Sequence, residues 1–333
     1  MDNPGFEKII DCSGDISCFR TLNNSEHQFS KIQERTMIES RQIAHNVVDI
    51  SQLTRLAIGK MHVELGKPKD GYSGLVLSSS NTEEHAGGLD KVAEGIANLY
   101  GIPKFESLNY ACSGFPAAVE AAIAMEKEDP DMKRILVVTA EKLSEIVDYS
   151  DENTSVLFGD GVAISSIVPN GKHQIIDAWA RGNIDDPKKC LRKESKVGTK
   201  MADGSINEND RDVIVMDGGR TLYKTVPQSL LDIACHTKVG PEGIDYIVPH
   251  QANGKFISYM ERLLQKQYPN IDIEIIGTIA HHANSASASI PRALASSIDR
   301  FESGKVVACP AKGAGINYEE GKLTEGLVLF KVG

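Results

Sequence analysis

Residues 107–122 read SLNYACSGFPAAVEAA, the pattern of an extended segment that turns sharply into a buried helix. Cys112 lies at the junction between the two. Gly114 allows the backbone to turn tightly, and Pro116 suits a first helical turn, where its missing N–H costs nothing. The unpaired N–H groups and the positive dipole end of the helix favour the thiolate form of the cysteine. The stretch therefore predicts a cysteine nucleophile that a buried helix holds rigidly.

A structural role for the same cysteine is the alternative. Free cysteine is among the most buried residue types, and Cys112 can simply pack at a strand–helix joint. The other five cysteines are scattered without the short spacing of a zinc site, so we interpret them as structural thiols in a reducing compartment. They are Cys12, Cys18, Cys190, Cys235 and Cys309. The sequence predicts no metal site, and on this stretch alone both roles of Cys112 stay open.

The composition excludes several classes of function. The chain has 333 residues, of which 41% are hydrophobic and 25% charged, as in globular proteins with a large core. A formal net charge of −10 argues against a general nucleic-acid surface. No apolar run reaches membrane-spanning length, and the start, MDNPGFEKIIDC, lacks the plan of a signal peptide. We therefore expect a cytoplasmic protein that binds neither nucleic acid nor membrane.

The second half of the chain repeats the order of elements of the first. In each half the pattern predicts a buried strand, a helix, a strand, a buried helix and two more core strands. This repeat indicates an internally duplicated α/β fold with parallel strands covered by helices. We expect an N-terminal half at residues 1–170 with the nucleophilic cysteine and a C-terminal half at 171–333. Apolar spacing also predicts a helix over residues 38–61, and residues 6–10 are expected to form an edge strand.

Three strand ends carry polar or reactive residues. Cys112 follows one strand, His250 leaves another within VPHQAN, and Asn284 follows a third within HHANSASASIP. Because equivalent strand ends of a duplicated sheet converge, we expect the three side chains to lie together. Taken alone, the histidine is more often structural, and the asparagine is also a good helix N-cap. Together they predict that Cys112 accepts an acyl group while His250 and Asn284 hold the carbonyl oxygen of a second thioester.

Six short motifs run along the chain in an order and spacing typical of one protein family. They are ACSGF around Cys112, FGDG at 158–161, MDG at 216–218 followed by Tyr223 and Lys224, VPHQAN at 248–253, NSASASIP at 284–291 and GAG at 313–315. On these residues the chain resembles the ketoacyl synthase III group of condensing enzymes in the thiolase superfamily. The resemblance implies a thiolase-like, internally duplicated five-layer αβαβα fold, a homodimer and an acyl-Cys112 intermediate, with Cys112, His250 and Asn284 as the catalytic residues.

The resemblance also implies how substrates bind. No tightly bound cofactor is expected, because the substrates are thioesters of coenzyme A or of the phosphopantetheine arm of acyl carrier protein. The residues expected to bind these carriers are Arg35, Lys255 and Asn253. The residues expected to form the oxyanion loop, which supplies backbone N–H groups, are Gly313, Ala314 and Gly315. For Lys255 a solvated helix face is the alternative.

Several positions depart from the family pattern. His282 and an alanine precede Asn284 where the family usually has glycine and asparagine, and Ala314 takes the middle place of the glycine loop. The segment at 319–325 is longer than usual. At Gly87 the housekeeping enzymes often carry a bulky residue that closes the acyl pocket of the dimer mate, so the glycine predicts a more open pocket. These departures favour a specialised biosynthetic member of the family.

Three functions are consistent with the sequence. The first is decarboxylative Claisen condensation of an acyl-cysteine with a malonyl thioester. The second is an acyltransferase that passes the acyl group to an alcohol or amine without decarboxylation. The third is a partner subunit of a heteromeric synthase, which the intact set of cysteine, histidine and asparagine argues against, because a scaffold has no physical need for them.

Overall fold

The fold is built on one ten-stranded mixed sheet. The computed structural model describes residues 3–23, 34–68, 71–81, 87–185, 190–217, 219–314 and 322–333. The strands are β1 (Pro4–Asp11), β2 (Phe19–Asn23), β3 (Ser40–Ala44), β4 (Gly74–Ser78), β5 (Lys104–Leu108), β6 (Ile135–Glu141), β7 (Gly161–Pro169), β8 (His173–Asp185), β9 (Leu191–Lys196), β10 (Thr199–Lys200), β11 (Ile206–Asn207), β12 (Arg211–Met216), β13 (Tyr246–Ile247), β14 (Glu274–Ile275), β15 (Val306–Ala314) and β16 (Lys322–Lys331). The helices are α1 (Ile50–Leu65), α2 (Leu89–Tyr100), α3 (Gly114–Glu128), α4 (Gly219–Cys235), α5 (Gly254–Gln267), α6 (Ile279–His282) and α7 (Ser289–Ser297).

The strand order confirms the internal duplication. Across the sheet it is β14-β13-β15-β16-β8-β1-β7-β6-β4-β5, so the second half mirrors the first, strand by strand. β4 pairs in parallel with β5 and β6, as β13 does with β14 and β15. The halves join where β1 lies antiparallel to β8. Because the parallel strands of both halves end on the same side, the turns that follow them meet there.

Helices cover both faces of each half-sheet and so produce five layers. α3 and α7 form the central layer, where Phe115, Val119, Ile290 and Leu294 pack against strands of both halves. α1 and α2 cover the outer face of the first half, and α4 and α5 cover the outer face of the second. Because helices cover both faces, β4 and β6 are buried at every position. Strands buried in this way are nearly continuous apolar runs.

Two expectations about the first sixty residues are wrong. The predicted helix over residues 38–61 begins only at Ile50, and β3 occupies its first part. Asp49 starts the helix with a capping box: its side chain accepts a hydrogen bond from the Gln52 N–H (2.7 Å), and the Gln52 side chain accepts one from the Asp49 N–H (2.9 Å). The predicted edge strand is β1, which lies in the middle of the sheet between β7 and β8.

A small elaboration covers the ends of the parallel strands. β9 pairs with β12, and β10 with β11, in two separate two-stranded sheets. Ile214, Leu191 and Met216 from this region belong to or pack on a hydrophobic cluster that also contains Cys112 and Phe158. The elaboration therefore forms an apolar wall beside the cysteine.

The part of the chain that the structure describes contains neither a membrane-spanning helix nor a metal-binding cluster. Within those residues no helix combines the length and the apolar character needed to cross a bilayer. The same residues contain no group of three or more histidine, cysteine, aspartate or glutamate side chains arranged to hold a metal ion.

Candidate active site

One cavity of about 900 Å³ is lined by Cys112, His250 and Asn284. Cys112 comes from the 3-10 turn Ala111–Ser113, which follows β5, and His250 comes from the segment after β13. Asn284 lies between α6 and the 3-10 turn Ala286–Ala288. The volume is in the range usual for small-molecule sites. The structure therefore brings the three residues together in one cavity.

The turn that carries Cys112 is strained and held in place by its neighbours. Ala111 has a φ of 46°, a left-handed conformation that costs a residue with a side chain about 1–2 kcal/mol. The Tyr110 carbonyl accepts hydrogen bonds from the Ser113 N–H (3.0 Å) and from the Thr324 hydroxyl (2.9 Å). A sharp strand-to-helix turn of this kind presents a nucleophile at the start of a helix.

The expectation that the helix start favours a Cys112 thiolate is wrong for this resting structure. Cys112 is only 8% exposed, and burial raises the pKa of its thiol to about 12. The charge of the buried Glu141 makes a smaller contribution to this rise. Desolvation of the anion outweighs the N–H groups and dipole of α3. The thiol is therefore protonated at neutral pH and needs a proton acceptor before it can react.

His250 is a neutral imidazole at neutral pH. It is 2% exposed, and burial lowers its pKa to about 3. Its backbone is fixed by a hydrogen bond from its own N–H to the Pro310 carbonyl (2.9 Å), which links it to β15. Among the described residues, its buried Nδ1 has no hydrogen-bond partner. A neutral imidazole offers one acceptor and one N–H donor, so the residue can both take a proton and hold an oxygen.

Asn284 is held by a short parallel bridge to the FGDG segment. Its N–H donates to the Leu157 carbonyl (3.1 Å), and its own carbonyl accepts from the Gly159 N–H (3.0 Å), with Phe158 as the bridge partner. Its side-chain Oδ1 accepts a hydrogen bond from the Ala286 N–H (3.0 Å). The Nδ2 amide group is therefore the donor that remains for a molecule in the cavity.

The FGDG segment at 158–161 supports the backbone around Asn284, a role that its sequence alone does not reveal. The buried carboxylate of Asp160 accepts hydrogen bonds from the Ala44 N–H (2.7 Å) and from the Ser144 hydroxyl (2.6 Å) and N–H (2.8 Å). Burial raises the pKa of Asp160 to about 6. These bonds join β3 and the segment after β6 to the backbone that supports Asn284.

The glycine loop lies directly against the cysteine turn. Gly313 and Ala314 line the cavity and form the end of β15, whereas Gly315 is outside the described residues. A Cβ on Gly313 would lie 2.8 Å from the Cys112 N atom and 2.7 Å from the Thr324 hydroxyl oxygen. Only glycine lets the two backbones come this close.

Positive charge surrounds the cavity. Its lining includes five cationic side chains and, among the described residues, no aspartate or glutamate. The cations are Arg35, Lys224, Lys255, Arg262 and Lys312. Lys312 forms an ion pair with Glu325 (3.7 Å) and donates to the Ser229 hydroxyl (2.9 Å). In a chain with a net charge of −10 this local excess of positive charge favours a ligand with phosphate or carboxylate groups.

The remaining predicted residues divide between the cavity and its surroundings. Asn253 lines the cavity, but its side-chain oxygen also caps α5 by accepting a hydrogen bond from the Lys255 N–H (2.8 Å). Gly87 is exposed just before α2 and does not line the cavity of its own chain. Its part in the pocket of a partner chain stays a prediction.

The sequence analysis missed Glu141, a fully buried carboxyl at the end of β6. It accepts hydrogen bonds from the Ser80 N–H (3.0 Å), the Ser80 hydroxyl (3.2 Å) and the Ser287 N–H (3.2 Å), and from the Ser287 hydroxyl. Burial raises the pKa of Glu141 to about 7, although all four donors favour the charged form. An acidic residue that ends a strand apolar except for Thr139 was the available signal.

Comparison with known proteins agrees with this architecture. The family model described as 3-oxoacyl-[acyl-carrier-protein] synthase III matches residues 107–181, and the model of its C-terminal part matches residues 235–321. The chain is 26% identical to a β-ketoacyl-[acyl-carrier-protein] synthase III of Campylobacter concisus, covering 96% of this chain and 90% of that one. It is 29% identical to the Fusobacterium nucleatum protein of the same name, covering 95% and 92%.

A solved structure shows the same fold. The β-ketoacyl-[acyl carrier protein] synthase III of Thermus thermophilus superposes with a TM-score of 0.74 at 22% identity, covering 99% of this chain and 98% of that chain. This likeness confirms the thiolase-like α/β fold. The family models and the relatives support a ketoacyl-ACP synthase III-like condensing enzyme, a member of the acyltransferases.

Proposed function

We propose that this chain joins an acyl group carried on Cys112 to a malonyl thioester, with release of carbon dioxide. The observation that carries the proposal is the meeting of Cys112, His250 and Asn284 in one cavity, beside the backbone of Gly313. The names of the relatives, β-ketoacyl-ACP synthases III, support the same class of reaction.

In the first proposed step Cys112 takes the acyl group. Its sulfur attacks the thioester carbonyl carbon, and the bond from that carbon to the carrier sulfur breaks. Because the pKa of the Cys112 thiol is raised to about 12, its proton must leave as the new bond forms. Neutral His250 accepts that proton and returns it to the departing carrier thiolate. The backbone N–H groups of Cys112 and the glycine loop hold the oxyanion.

In the second proposed step the malonyl thioester loses carbon dioxide. The electron pair of the broken C–C bond forms an enolate, and the N–H donors of His250 and Asn284 hold its oxygen. The enolate carbon attacks the acyl carbonyl, the bond to the Cys112 sulfur breaks, and the cysteine regains a proton from solvent. The product is a 3-ketoacyl thioester.

The carriers proposed for both substrates are coenzyme A and acyl carrier protein. Arg35 and Lys255 lie on the cationic lining of the cavity, which favours the phosphate groups of coenzyme A or of a phosphopantetheine arm. Asn253 lines the same region and retains its amide N–H groups as donors. His282 and Gly87, which depart from the family pattern, support a specialised biosynthetic role.

The first step is tested by intact-mass measurement after incubation with a panel of acyl-coenzyme A thioesters of increasing chain length. We expect one acyl mass on the wild-type chain and none on Cys112→Ala, with condensation falling by on the order of 10³-fold or more. Cys18→Ala, which removes a partly exposed thiol elsewhere, is the matched control and should still be acylated. An unmodified wild-type chain with every thioester would contradict the proposal and favour a non-catalytic partner subunit.

Malonyl-coenzyme A and malonyl carrier protein test the second step. Release of carbon dioxide together with a 3-ketoacyl product supports condensation. Transfer of the acyl group to an alcohol or amine, with no carbon dioxide released, would favour the non-decarboxylating acyltransferase instead.

A homodimer belongs to the same proposal. β5 is an edge strand of the ten-stranded sheet. Phe105 on β5 is 40% exposed, and Leu99 on the neighbouring α2 is 58% exposed. An exposed edge strand with apolar side chains favours pairing with another chain. Light scattering of the purified protein should give twice the mass of one chain, and a monomeric mass would contradict this.

A further inference from the structure

Arg292 on α7 is a buried charged side chain that the proposed reaction does not use. It is 1% exposed, and its Nε donates to both carboxylate oxygens of Asp11 on β1 (3.2 and 3.3 Å). Its Nη1 donates to the carbonyl oxygens of His282 (3.1 Å) and Asp160 (3.3 Å) and to the Ser285 hydroxyl (3.1 Å). One guanidinium therefore joins three separate segments of the chain.

The acceptors of Nη1 surround Asn284. His282 lies two residues before it, and Ser285 lies directly after it. Asp160 follows Gly159, whose N–H donates to the Asn284 carbonyl (3.0 Å). The guanidinium thus contacts both sides of the short bridge that carries the asparagine.

The backbone around Asn284 needs such a restraint. Ala283 has a φ of 53° and Ala286 a φ of 39°, so two residues with side chains adopt left-handed conformations within four positions. Strained conformations of this kind persist only where the surroundings over-determine them. Gly161 leaves the space that the Arg292 side chain occupies, because a Cβ at this position would lie 2.8 Å from the Arg292 Nη1 and 2.9 Å from its Cδ.

The charges around Arg292 are arranged to keep it paired. Burial by itself raises the pKa of Asp11, but the charge of Arg292, the contribution of His282 and hydrogen bonds from Ser13 together outweigh it, and the net shift of that pKa is downward. Burial, and then the charge of Arg292, lower the pKa of His282 to about 4. At neutral pH the group therefore contains the Arg292–Asp11 ion pair and a neutral histidine, with no unpaired charge among these three side chains.

We propose that Arg292, anchored by Asp11, is a positioning residue that fixes the Asn284 amide at the point where the enolate oxygen forms. The inference rests on the proposed function of Asn284. An amide donor stabilises the developing charge only while its N–H points at the oxygen, and a displacement of about 1 Å can cost roughly 100-fold in rate. We expect a smaller effect of Arg292 on the acylation of Cys112, because none of these guanidinium contacts involves the cysteine turn.

The substitution Arg292→Lys tests this while keeping the charge beside Asp11. A lysine ammonium lacks the planar fork that reaches the carboxylate and the three Nη1 acceptors at once. The matched control is Arg300→Lys, which makes the same change in an exposed ion pair with Glu274 (3.1 Å). Hydrogen exchange is measured at the Asn284 N–H and, as an internal reference in the other half, at the Ser113 N–H. Both half-reactions are followed with acyl-coenzyme A and malonyl-coenzyme A.

We expect Arg292→Lys to speed exchange at Asn284 but not at Ser113, and to lower carbon dioxide release by about tenfold or more relative to acylation. Arg300→Lys should change neither. Unchanged exchange at Asn284, equal acceleration at both amides, or an equal loss in both half-reactions would overturn the inference. A wild-type chain that is never acylated refutes the proposed function instead, and the exchange result still decides whether Arg292 positions the segment.

A second variant covers the case in which Arg292→Lys does not fold. The double substitution Asp11→Asn with Arg292→Met removes both charges and so leaves no unpaired buried ion. We expect the same pattern of exchange and the same selective loss of decarboxylation. If this variant decarboxylates malonyl-coenzyme A as fast as the wild type, the inference is overturned.

Discussion

Two turns of the molecule have the same backbone plan but different chemistry. The Cys112 turn reads ACSGFP from Ala111 to Pro116, and the Ser287 turn reads ASASIP from Ala286 to Pro291. Each begins with an alanine of positive φ (46° and 39°), continues as a 3-10 turn and leads directly into a helix with proline as its third residue. The duplication thus reproduces a strained 3-10 turn at a helix start in each half.

The difference between the turns lies in what faces them. The Cys112 turn meets Gly313, whose missing side chain leaves the cavity open beside the thiol. The Ser287 turn meets the carboxylate of Glu141, which accepts hydrogen bonds from its hydroxyl and N–H. One turn is therefore accessible to substrate and the other is closed, and the second half presents Asn284 to the cavity instead. The same turn becomes a reactive site or a buried support according to its neighbour.

The largest expected effect comes from substituting Asn284, and the comparison is with Ser287 in the turn that follows it. We expect Asn284→Ala to lower malonyl decarboxylation by about 10²- to 10³-fold, because it removes a donor to the enolate oxygen. Ser287→Ala should instead lower the free energy of unfolding by about 1–3 kcal/mol, since Glu141 loses a buried donor. Carbon dioxide release and urea denaturation measure the two effects. A larger loss of decarboxylation in Ser287→Ala than in Asn284→Ala would mean that the serine turn is the reactive one.

An intermediate effect is expected where the two turns touch. A Cβ on Gly114 would collide with the Ser78 hydroxyl and lie 2.7 Å from the Ser287 Cβ, so Gly114→Ala should lower the free energy of unfolding by about 1–3 kcal/mol. The matched control is Gly95→Ala in α2, where an added Cβ meets nothing within 4 Å. That control should raise the free energy of unfolding by about 0.5–1 kcal/mol. Chemical denaturation of both variants checks the opposite signs.

The smallest effect concerns the charge between the turns. Burial first, and the Glu141 charge second, raise the pKa of Cys112, so Glu141→Gln should lower it. The thiolate forms by loss of a proton, so the alkylation rate rises with pH, and a lower pKa moves this rise to lower pH. At pH 9 we expect iodoacetamide to react up to about tenfold faster with Glu141→Gln than with the wild type.

The groups around Glu141 make this prediction specific to Cys112. Other buried charged side chains of the neighbouring segments have partners of their own: Lys142 is paired with Glu145 (2.7 Å) and Arg292 with Asp11, while Asp160 accepts hydrogen bonds from Ser144. Glu94→Gln, in an exposed ion pair on α2, is the control and should leave the alkylation profile unchanged. An unchanged profile in Glu141→Gln would show that the carboxyl is neutral beside the thiol.

The sequence was sufficient for the duplicated α/β plan and for the residues that meet in the cavity. The alternation of apolar strands and helices is a local pattern, and the ends of parallel strands converge in any such sheet. The position of Cys112 before a helix, and of His250 after a strand, therefore followed from residues close together in the chain, whereas α6 separates Asn284 from β14. The helix over residues 38–61 was the exception, because the pairing of β3 with β2 overrides its apolar spacing.

Only the tertiary structure decided the protonation and the support of those residues. Burial, and not the helix start, sets the pKa of Cys112, and burial depends on everything packed around the turn. Glu141 and Ser287 meet across 146 positions of sequence, and Arg292 and Asp11 across 281. No local pattern encodes contacts of such separation, because they exist only once the two halves have packed against the same central helices.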